Sequence, residues 1–211
     1  MNSFSQNPHT AYRPMRRKAR QINDVNDLRA VVEECTVVRL GIVDDEGMFI
    51  VPVNFGYDWD ITHKGGVAVA KLSLWIHSAA KGRKADAFAR IAAQAKGQAC
   101  EQKVDQTNCQ ADCQFLEHTC KQFSRIAIEM DHQVQIIAGN DACDYSTAYR
   151  SLMGWGTIYP ARNLEEKRYG LMRLMDHMAP GSPVNFSQEM LAATAVYRID
   201  VDYFTGKEHS A

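Results

Sequence analysis

The sequence has no long apolar run, no excess of charge of either sign and no apolar segment of the kind found in secretory signals near its first charges. No stretch approaches the roughly 18 apolar residues of a membrane-spanning helix, and no apolar segment follows the first charges. Its 24 basic and 25 acidic residues give a net charge of −1, which provides no electrostatic footprint for wrapping nucleic acid. We therefore expect a cytoplasmic protein that partners neither nucleic acid nor a membrane.

The short nucleotide-binding fingerprints are also missing. The chain contains neither a G-x-x-x-x-G-K-[ST] phosphate loop nor the G-x-G-x-x-G of dinucleotide-binding folds. A phosphate bound by this chain would therefore be held by neither of these motifs.

The six cysteines include no C-x-x-C pair, the spacing typical of many zinc and iron–sulfur sites. Without a secretory signal we expect their thiols to stay reduced. Three of them, Cys109, Cys113 and Cys120, recur at the spacing of one helical stripe. Because free cysteine behaves as a small hydrophobe, the stripe predicts a packing face within a helical insertion at about residues 95–122 and no metal. A metal site that also uses His118 is the alternative.

Three segments show helical signals. Residues 23–35 combine capping residues with an apolar stripe, and a third segment opens at Asn163 with Glu166 three residues later, a capping-box arrangement. Between them, an alanine-rich helix begins near Gly82. The face of that helix predicted to be buried contains Ala85, Phe88, Ala89 and Ala92.

The other patterned segments are typical of strands. The turn "DDEG" separates two β-branched runs and predicts a hairpin, whose second strand ends, bulges or lies at a sheet edge at Pro52. Residues 61–70 are predicted to be a loop insertion. Further strands are predicted over residues 71–78, 125–131, 133–139, 149–161 and 194–206. Six or seven short strands with helices at their connections favour a mainly β protein, built as an antiparallel barrel.

The chain is long enough for one domain with a substantial core. We predict a basic leader over residues 1–22, one domain over residues 23–207 and a short tail over residues 208–211. The basic cluster within the leader is typical of a solvated segment.

The stretch "HSAAKGRK", residues 77–84, is the candidate binding site. A strand ends there and a helix begins, so unpaired N–H groups and the helix dipole favour an anion. Ser78, Arg83 and Lys84 could then hold a phosphate, because arginine grips two phosphate oxygens and lysine supplies a point charge. A solvated turn is the alternative interpretation.

Five motifs occur along the chain in an order that indicates a known family: "MRRKAR", "VVRLGIVDDEGMFIVPVNFGYD", "LWIHSAAKGRK", "ACDYSTAYRSLMGWGTI" and "YRIDVDYFTGK". Over residues 15–207 the chain resembles the nitroimidazole-reductase-like (Nim-type) group of the pyridoxamine 5′-phosphate oxidase-like FMN-binding split barrels. The resemblance implies a six-stranded antiparallel split β-barrel, a homodimer, and FMN in two clefts between the subunits.

The resemblance also implies roles for individual residues. It places Ser78, Arg83 and Lys84 on the FMN phosphate. The residues implied along the isoalloxazine ring are Pro52, Val53 and Asn54, and those implied at the pocket, from the same or the partner subunit, are Tyr149, Arg150 and Ser151. His77 is implied beside the flavin or substrate as the catalytic candidate, with a packed histidine as the alternative. Trp155 either stacks at the pocket edge or belongs to the core.

The expected activity is that of an FMN-dependent oxidoreductase. A reduced nicotinamide or another donor would reduce the flavin, which would then reduce a small flat redox substrate such as a nitroaromatic or 5-nitroimidazole. The alternatives are a non-catalytic flavin-binding or haem-binding split barrel, with His77 as an axial ligand of the haem, and a cofactor-free interaction domain.

Overall fold

The structure, a computed structural model, describes residues 14–95 and 125–210. Its strands are β1 (Gln21–Ile22), β2 (Val38–Asp44), β3 (Gly47–Val53), β4 (Gly56–Lys64), β5 (Val67–Ser78), β6 (Ile126–Ile137), β7 (Ser146–Pro160) and β8 (Ala195–His209). Its α-helices are α1 (Val25–Glu34), α2 (Arg83–Ala95), α3 (Leu164–Met178) and α4 (Gln188–Ala193). The predicted stripe of Cys109, Cys113 and Cys120 lies outside the described residues.

All eight described strands belong to one antiparallel sheet. Its order is β3-β2-β6-β7-β8-β5-β4, and the two-residue β1 pairs with β8. The predicted antiparallel, mainly β architecture is confirmed, whereas the predicted count of six strands is not. Pro52 was predicted to end a strand, to form a bulge or to lie in an edge strand. It lies in β3, which is an edge strand among the described strands, so the third of these options is correct.

The sheet must curl into a barrel because its two edge strands are consecutive in the chain. Seven strands side by side would hold the edges about 29 Å apart if the sheet were flat. Asn54 and Phe55 alone connect β3 to β4, and such a link spans at most about 11 Å. Phe55 is fully buried at this closure, and the interior contains Leu40, Leu72, Leu74, Ile128, Leu152 and Ile199.

The segment predicted as a loop insertion, residues 61–70, is instead the tip of a hairpin. It forms the end of β4 and the start of β5, which pair from Gly56↔Trp75 to Lys64↔Val67. Gly65 and Gly66 have φ values of +58° and +79° and make the two-residue turn. Two consecutive positive φ values match the right-handed twist of the flanking strands, and glycine adopts them without strain.

The first helix, α1, follows its sequence signals. The Asp24 carboxylate accepts hydrogen bonds from Asn26 N–H at 2.8 Å and Asp27 N–H at 3.3 Å, so it caps the helix as predicted. The apolar stripe is buried, including the side chain of Cys35 just beyond the last turn.

The second helix, α2, packs on the barrel with a slightly different face from the one predicted. Ala85, Phe88 and Ala92 are buried, but Ala89 is exposed, and Ile91 is buried instead. The Phe88 ring lies edge-on to Tyr197 of β8, with 5.0 Å between their centroids. Alanine carries too little apolar surface for sequence alone to mark the centre of the packing face.

The strands predicted over residues 125–131 and 133–139 are one strand, β6. Its pairing with β7 shifts register between His132 and Gln135, and Gln133 has a φ of +55° at this bulge. A bulge bends a strand without ending it, which explains why the sequence pattern is interrupted there.

The third helix, α3, begins at the predicted cap. The Asn163 side chain accepts from Glu166 N–H at 2.8 Å, but the Glu166 carboxylate accepts from Arg162 N–H at 2.7 Å rather than from the cap residue. None of the helices in the described ranges is both long and apolar enough to cross a membrane.

Candidate functional site

A strand-to-helix junction, residues 79–82, joins β5 to α2. The carbonyl of Gly82 accepts from Asp86 N–H at 3.0 Å, so Gly82 is the N-cap residue of α2. Its φ of +104° is one that glycine adopts readily. The first N–H groups of a helix have no intrahelical partner, so this end of α2 offers donors and the positive end of the helix dipole. The predicted phosphate position is therefore electrostatically suited to an anion.

Ser78, the last residue of β5, carries a buried hydroxyl. Its side chain follows the inward alternation of Leu74 and Ile76, and the residue is 6% exposed. Among the described residues its Oγ has no hydrogen-bond partner. A buried hydroxyl without a partner costs about 1–3 kcal/mol, so this atom indicates that another group completes its hydrogen bonding.

His77 points to the other side of the sheet. It pairs with Val196 in the β5–β8 ladder and its side chain is exposed, so it is not a packed core histidine. His77 and Ser78 face opposite sides of a strand that ends at this point. One ligand could therefore contact both only by passing around the end of β5.

Arg83 already has a partner within the chain. Its Nε and Nη2 donate to the two carboxylate oxygens of Asp44 at 2.7 and 2.9 Å. Its guanidinium carbon lies 4.2 Å from the centre of the Phe49 ring, and Nη1 is 3.6 Å from Glu46. Lys84 is half-buried in the first turn of α2. Of the predicted phosphate ligands, Arg83 is thus the one held by a carboxylate.

The residues predicted along the flavin ring lie at the barrel closure. Pro52 is exposed, Val53 is buried, and the Asn54 side chain donates to Thr36 O at 3.0 Å. Gly56 of β4 pairs with Trp75 of β5. Asn54 precedes Gly56 by two residues, and His77 follows Trp75 by two residues. Residues 52–54 and residues 77–78 therefore both lie a few residues from the Gly56–Trp75 pair, at the same end of the β4–β5 ladder.

The third predicted group, Tyr149 to Ser151, lies elsewhere in the chain. Ser78 pairs with Ala195 at the start of β8, whereas Ser151 pairs with Lys207, twelve residues further along the same strand. At the rise of a strand this separation is about 40 Å along β8. One chain therefore does not assemble all of the predicted site residues.

Arg150 and its neighbours form a polar group of their own. Arg150 Nη2 donates to Asp27 O at 3.3 Å, and Arg150 Nε lies 3.3 Å from a Glu208 carboxylate oxygen. Burial raises the pKa of Tyr149, but hydrogen bonds with Lys207 and Arg20 outweigh burial and lower that pKa overall. The group is a basic, partly buried patch around the start of β7.

Trp155 lies half-buried in β7. Its ring stacks on Tyr203 of β8 with 4.6 Å between centroids and 26° between planes. Trp155 therefore belongs to a partly exposed pair of stacked aromatic rings and is not a fully buried core residue.

Asp44 is the residue at this site that sequence reasoning missed. It belongs to the "DDEG" turn, which was identified only as a hairpin signal, and it precedes Arg83 by 39 residues. No spacing rule links positions so far apart, since their contact depends on where α2 docks on the barrel.

Two open clefts lie beside β4, and residues 77–84 line neither of them. Their volumes are about 670 and 490 Å³, and Asp58 and Asp60 line both. None of the predicted site residues lines either cleft. In the part of the chain that the structure describes, no group of three or more His, Cys, Asp or Glu side chains is arranged to hold a metal.

No family model and no curated protein matches the chain. Solved structures do. A candidate 5-nitroimidazole antibiotic resistance protein from Bacteroides thetaiotaomicron is 22% identical, with 89% of this chain and 86% of that chain covered and a TM-score of 0.60. The FAD and haem binding protein from Mycobacterium smegmatis is 17% identical, with coverage of 91% and 74% and a TM-score of 0.62. A flavocytochrome from Azotobacter vinelandii is 15% identical, with coverage of 94% and 73% and a TM-score of 0.61.

The chain has a pyridoxamine 5′-phosphate oxidase-like split-barrel fold. At these identities the likeness establishes the fold, and the resemblance found in the sequence is confirmed to that extent. In this split barrel a two-residue link joins the two edge strands, and it lies at the end of the β4–β5 ladder where β5 also ends. The junction follows directly after β5, and its Ser78 hydroxyl has no partner in residues 14–95 and 125–210.

Proposed function

We propose that this split barrel is an FMN-dependent oxidoreductase that reduces small flat acceptors such as nitroaromatics and 5-nitroimidazoles. The observation that carries the proposal is the buried Ser78 hydroxyl, which has no hydrogen-bond partner among the described residues and lies five residues before Arg83, the first residue of α2. A flavin phosphate at this position would accept from Ser78 Oγ, from the free N–H groups of the first helical turn and from Lys84.

The closure of the barrel suits the ring of the same cofactor. In the part of the chain that the structure describes, β3 pairs with β2 alone, so backbone groups on its outer side could bond the polar edge of a flavin. Pro52 has no N–H, so Val53 and Asn54 would provide the backbone donors. His77, exposed at the end of β5, would contact the substrate or the cofactor. When bound, the flavin supplies the hydride and electron transfer, and the chain positions it and limits access of water.

A homodimer would bring the third group of predicted residues to the site. Because Tyr149, Arg150 and Ser151 lie far from Ser78 in one chain, we propose that they reach the flavin of the partner subunit. The outer face of the sheet supports association, since Met48 is 86% exposed, Ile50 69% and Met153 58%. Sedimentation of the purified chain should give a dimer mass, and Ile50→Lys should shift it toward the monomer. A wild-type monomer at micromolar concentration would contradict this arrangement.

The experiment that tests the function begins with the absorbance spectrum of the purified full chain. FMN should be present or bind on addition at about one per chain, and NADH or NADPH should bleach it without oxygen. A 5-nitroimidazole should then restore the oxidised spectrum. A chain that binds no flavin, or a bound flavin that neither donor nor acceptor affects, would reject the proposal.

A non-catalytic flavin-binding or haem-binding role is the second candidate. The observation that favours haem is the exposed imidazole of His77, a side chain able to act as an axial ligand. Two of the similar structures are a flavocytochrome and an FAD and haem binding protein. A single intense Soret band that His77→Ala abolishes would support haem over flavin chemistry.

A further inference from the structure

The ion pair between Asp44 and Arg83 connects the β2–β3 turn to the first residue of α2. The guanidinium bonds both carboxylate oxygens, at 2.7 and 2.9 Å, which is the geometry arginine also uses for phosphate. The Asp44 side chain is only 12% exposed, while that of Arg83 is 40% exposed. The carboxylate is therefore the more enclosed partner of the pair.

Asp44 is held in place by contacts other than the one with Arg83. One of its oxygens accepts from Glu46 N–H at 2.9 Å, within the turn. Arg90, two turns further along α2, donates to the carbonyl of Val43. The hydrogen bond from Arg83 lowers the pKa of Asp44, so the carboxylate stays ionised at neutral pH. Arg83 is therefore paired with a fixed negative charge.

Arg83 is held on two sides. Its Nε and Nη2 edge faces Asp44 and its plane covers the Phe49 ring, while Nη1 lies 3.6 Å from Glu46. A guanidinium has five N–H groups, so part of it remains free to meet an incoming anion. Its charge, however, is already balanced by a carboxylate at hydrogen-bonding distance.

We propose that Asp44 is a specificity-determining residue of the phosphate subsite: by neutralising Arg83 it reduces the preference of the site for a flavin with a phosphomonoester over one without a phosphate. The inference rests on the proposed flavin function. Asp44 itself has no role in redox chemistry. It changes only the net charge at the position where the phosphate end of the flavin side chain would bind.

The preference for FMN over riboflavin can be measured because the two flavins differ in the charge of the side chain on the ring. A phosphomonoester carries about −1.5 to −2 charges at pH 7, whereas riboflavin has an uncharged tail. Removing one negative charge beside Arg83 should therefore strengthen FMN binding and leave riboflavin binding almost unchanged. The ratio of the riboflavin Kd to the FMN Kd isolates this effect from any general change in the ring pocket.

The test is a titration of the flavin-free full chain with riboflavin and with FMN, followed by quenching of flavin fluorescence at pH 7.5 and low salt. Asp44→Asn removes the charge and keeps the size of the side chain. We expect the Kd ratio to rise about tenfold, with the riboflavin Kd changed less than twofold, and the increase should shrink at high salt.

Two further variants control the experiment. Asp45→Asn makes the same change of charge on the next residue, which is exposed; it should alter the ratio less than threefold. Asp44→Ser keeps a short oxygen acceptor at the turn position of Asp44. It should reproduce the rise in the ratio if Asp44→Asn proves too unstable to titrate.

The outcomes separate the inference from the proposed function. If wild type binds FMN and the ratio is unchanged or lower in both Asp44 variants, Asp44 orients Arg83 and the inference is overturned while the flavin function stands. If neither wild type nor variants bind any flavin, both are overturned. If only the variants bind FMN, the inference is supported.

Discussion

The indole N–H of Trp75 donates a 2.7 Å hydrogen bond to Asp58 across the β4–β5 ladder. The other carboxylate oxygen of Asp58 accepts from the Tyr169 hydroxyl, also at 2.7 Å, and so connects the sheet to α3. Trp75 is 3% exposed, and its ring meets that of Tyr169 with 5.4 Å between centroids. One carboxylate therefore satisfies two aromatic donors where the helix covers the barrel.

Replacing this carboxylate should destabilise the protein. Asp58→Ala leaves the buried Trp75 N–H without an acceptor, and such a loss reduces the free energy of unfolding by about 1–3 kcal/mol. Asp60→Ala, on the same face of β4 but exposed, is the control and should change it by less than about 0.5 kcal/mol. Urea unfolding followed by tryptophan fluorescence measures both. Equal effects of the two substitutions would show that the Asp58 bonds do not stabilise the packing of α3.

Removing the unpartnered hydroxyl should have opposite effects on folding and on binding. Ser78→Ala takes away a buried polar atom that has no partner among the described residues, so the flavin-free chain should gain about 1 kcal/mol of stability. The same variant should bind FMN about tenfold more weakly, since one hydrogen bond to a charged group is lost. Thermal unfolding without flavin and an FMN titration test the two halves. A variant that loses stability would show that Ser78 Oγ is satisfied in the folded chain.

The stability of the protein should depend on pH through His132. Burial lowers the pKa of His132, with Arg150 acting in the same direction and Glu34 and Asp131 opposing it. Its Nδ1 lies 3.1 Å from Glu34, and its Nε2 is buried without a partner among the described residues. Because the folded state binds this proton more weakly than the unfolded state, the contribution of His132 is fully present above the unfolded pKa of about 6.5. It is lost as the pH falls from there toward the lower folded pKa.

Unfolding free energies between pH 5 and 7.5 measure this dependence. The slope with pH should be smaller in His132→Gln, because glutamine does not titrate. A slope that the substitution leaves intact would assign the pH dependence to other groups.

The two described cysteines should differ in reactivity. Burial, reinforced by nearby carboxylates, raises the pKa of the Cys35 thiol to about 12. The thiolate is the reactive form, so Cys35 should resist iodoacetamide at pH 8 in the folded protein. Cys143 is exposed and should be labelled at once. Peptide mass spectrometry before and after addition of urea separates the two, and rapid native labelling of Cys35 would mean that α1 opens readily.

The sequence by itself determined the local elements, because their signals lie within a few residues. The Asp24 and Asn163 caps, the "DDEG" hairpin and the junction from His77 to Arg83 are each encoded by short patterns. The missed β4–β5 hairpin belongs to the same class, since its Gly65 and Gly66 turn was visible in the sequence but was interpreted as an insertion.

Tertiary structure decided which of these elements meet. Strand pairing places residues 52–54 and the end of β5 at the same end of the β4–β5 ladder, and it places Ser151 at the far end of β8. The docking of α2 places Arg83 against Asp44, 39 residues away in the sequence. Arg83, which was predicted to bind phosphate, therefore forms an ion pair within the chain. Periodicity reports which face of an element is buried, but contacts between distant segments depend on how the sheet closes, and no local pattern encodes that closure.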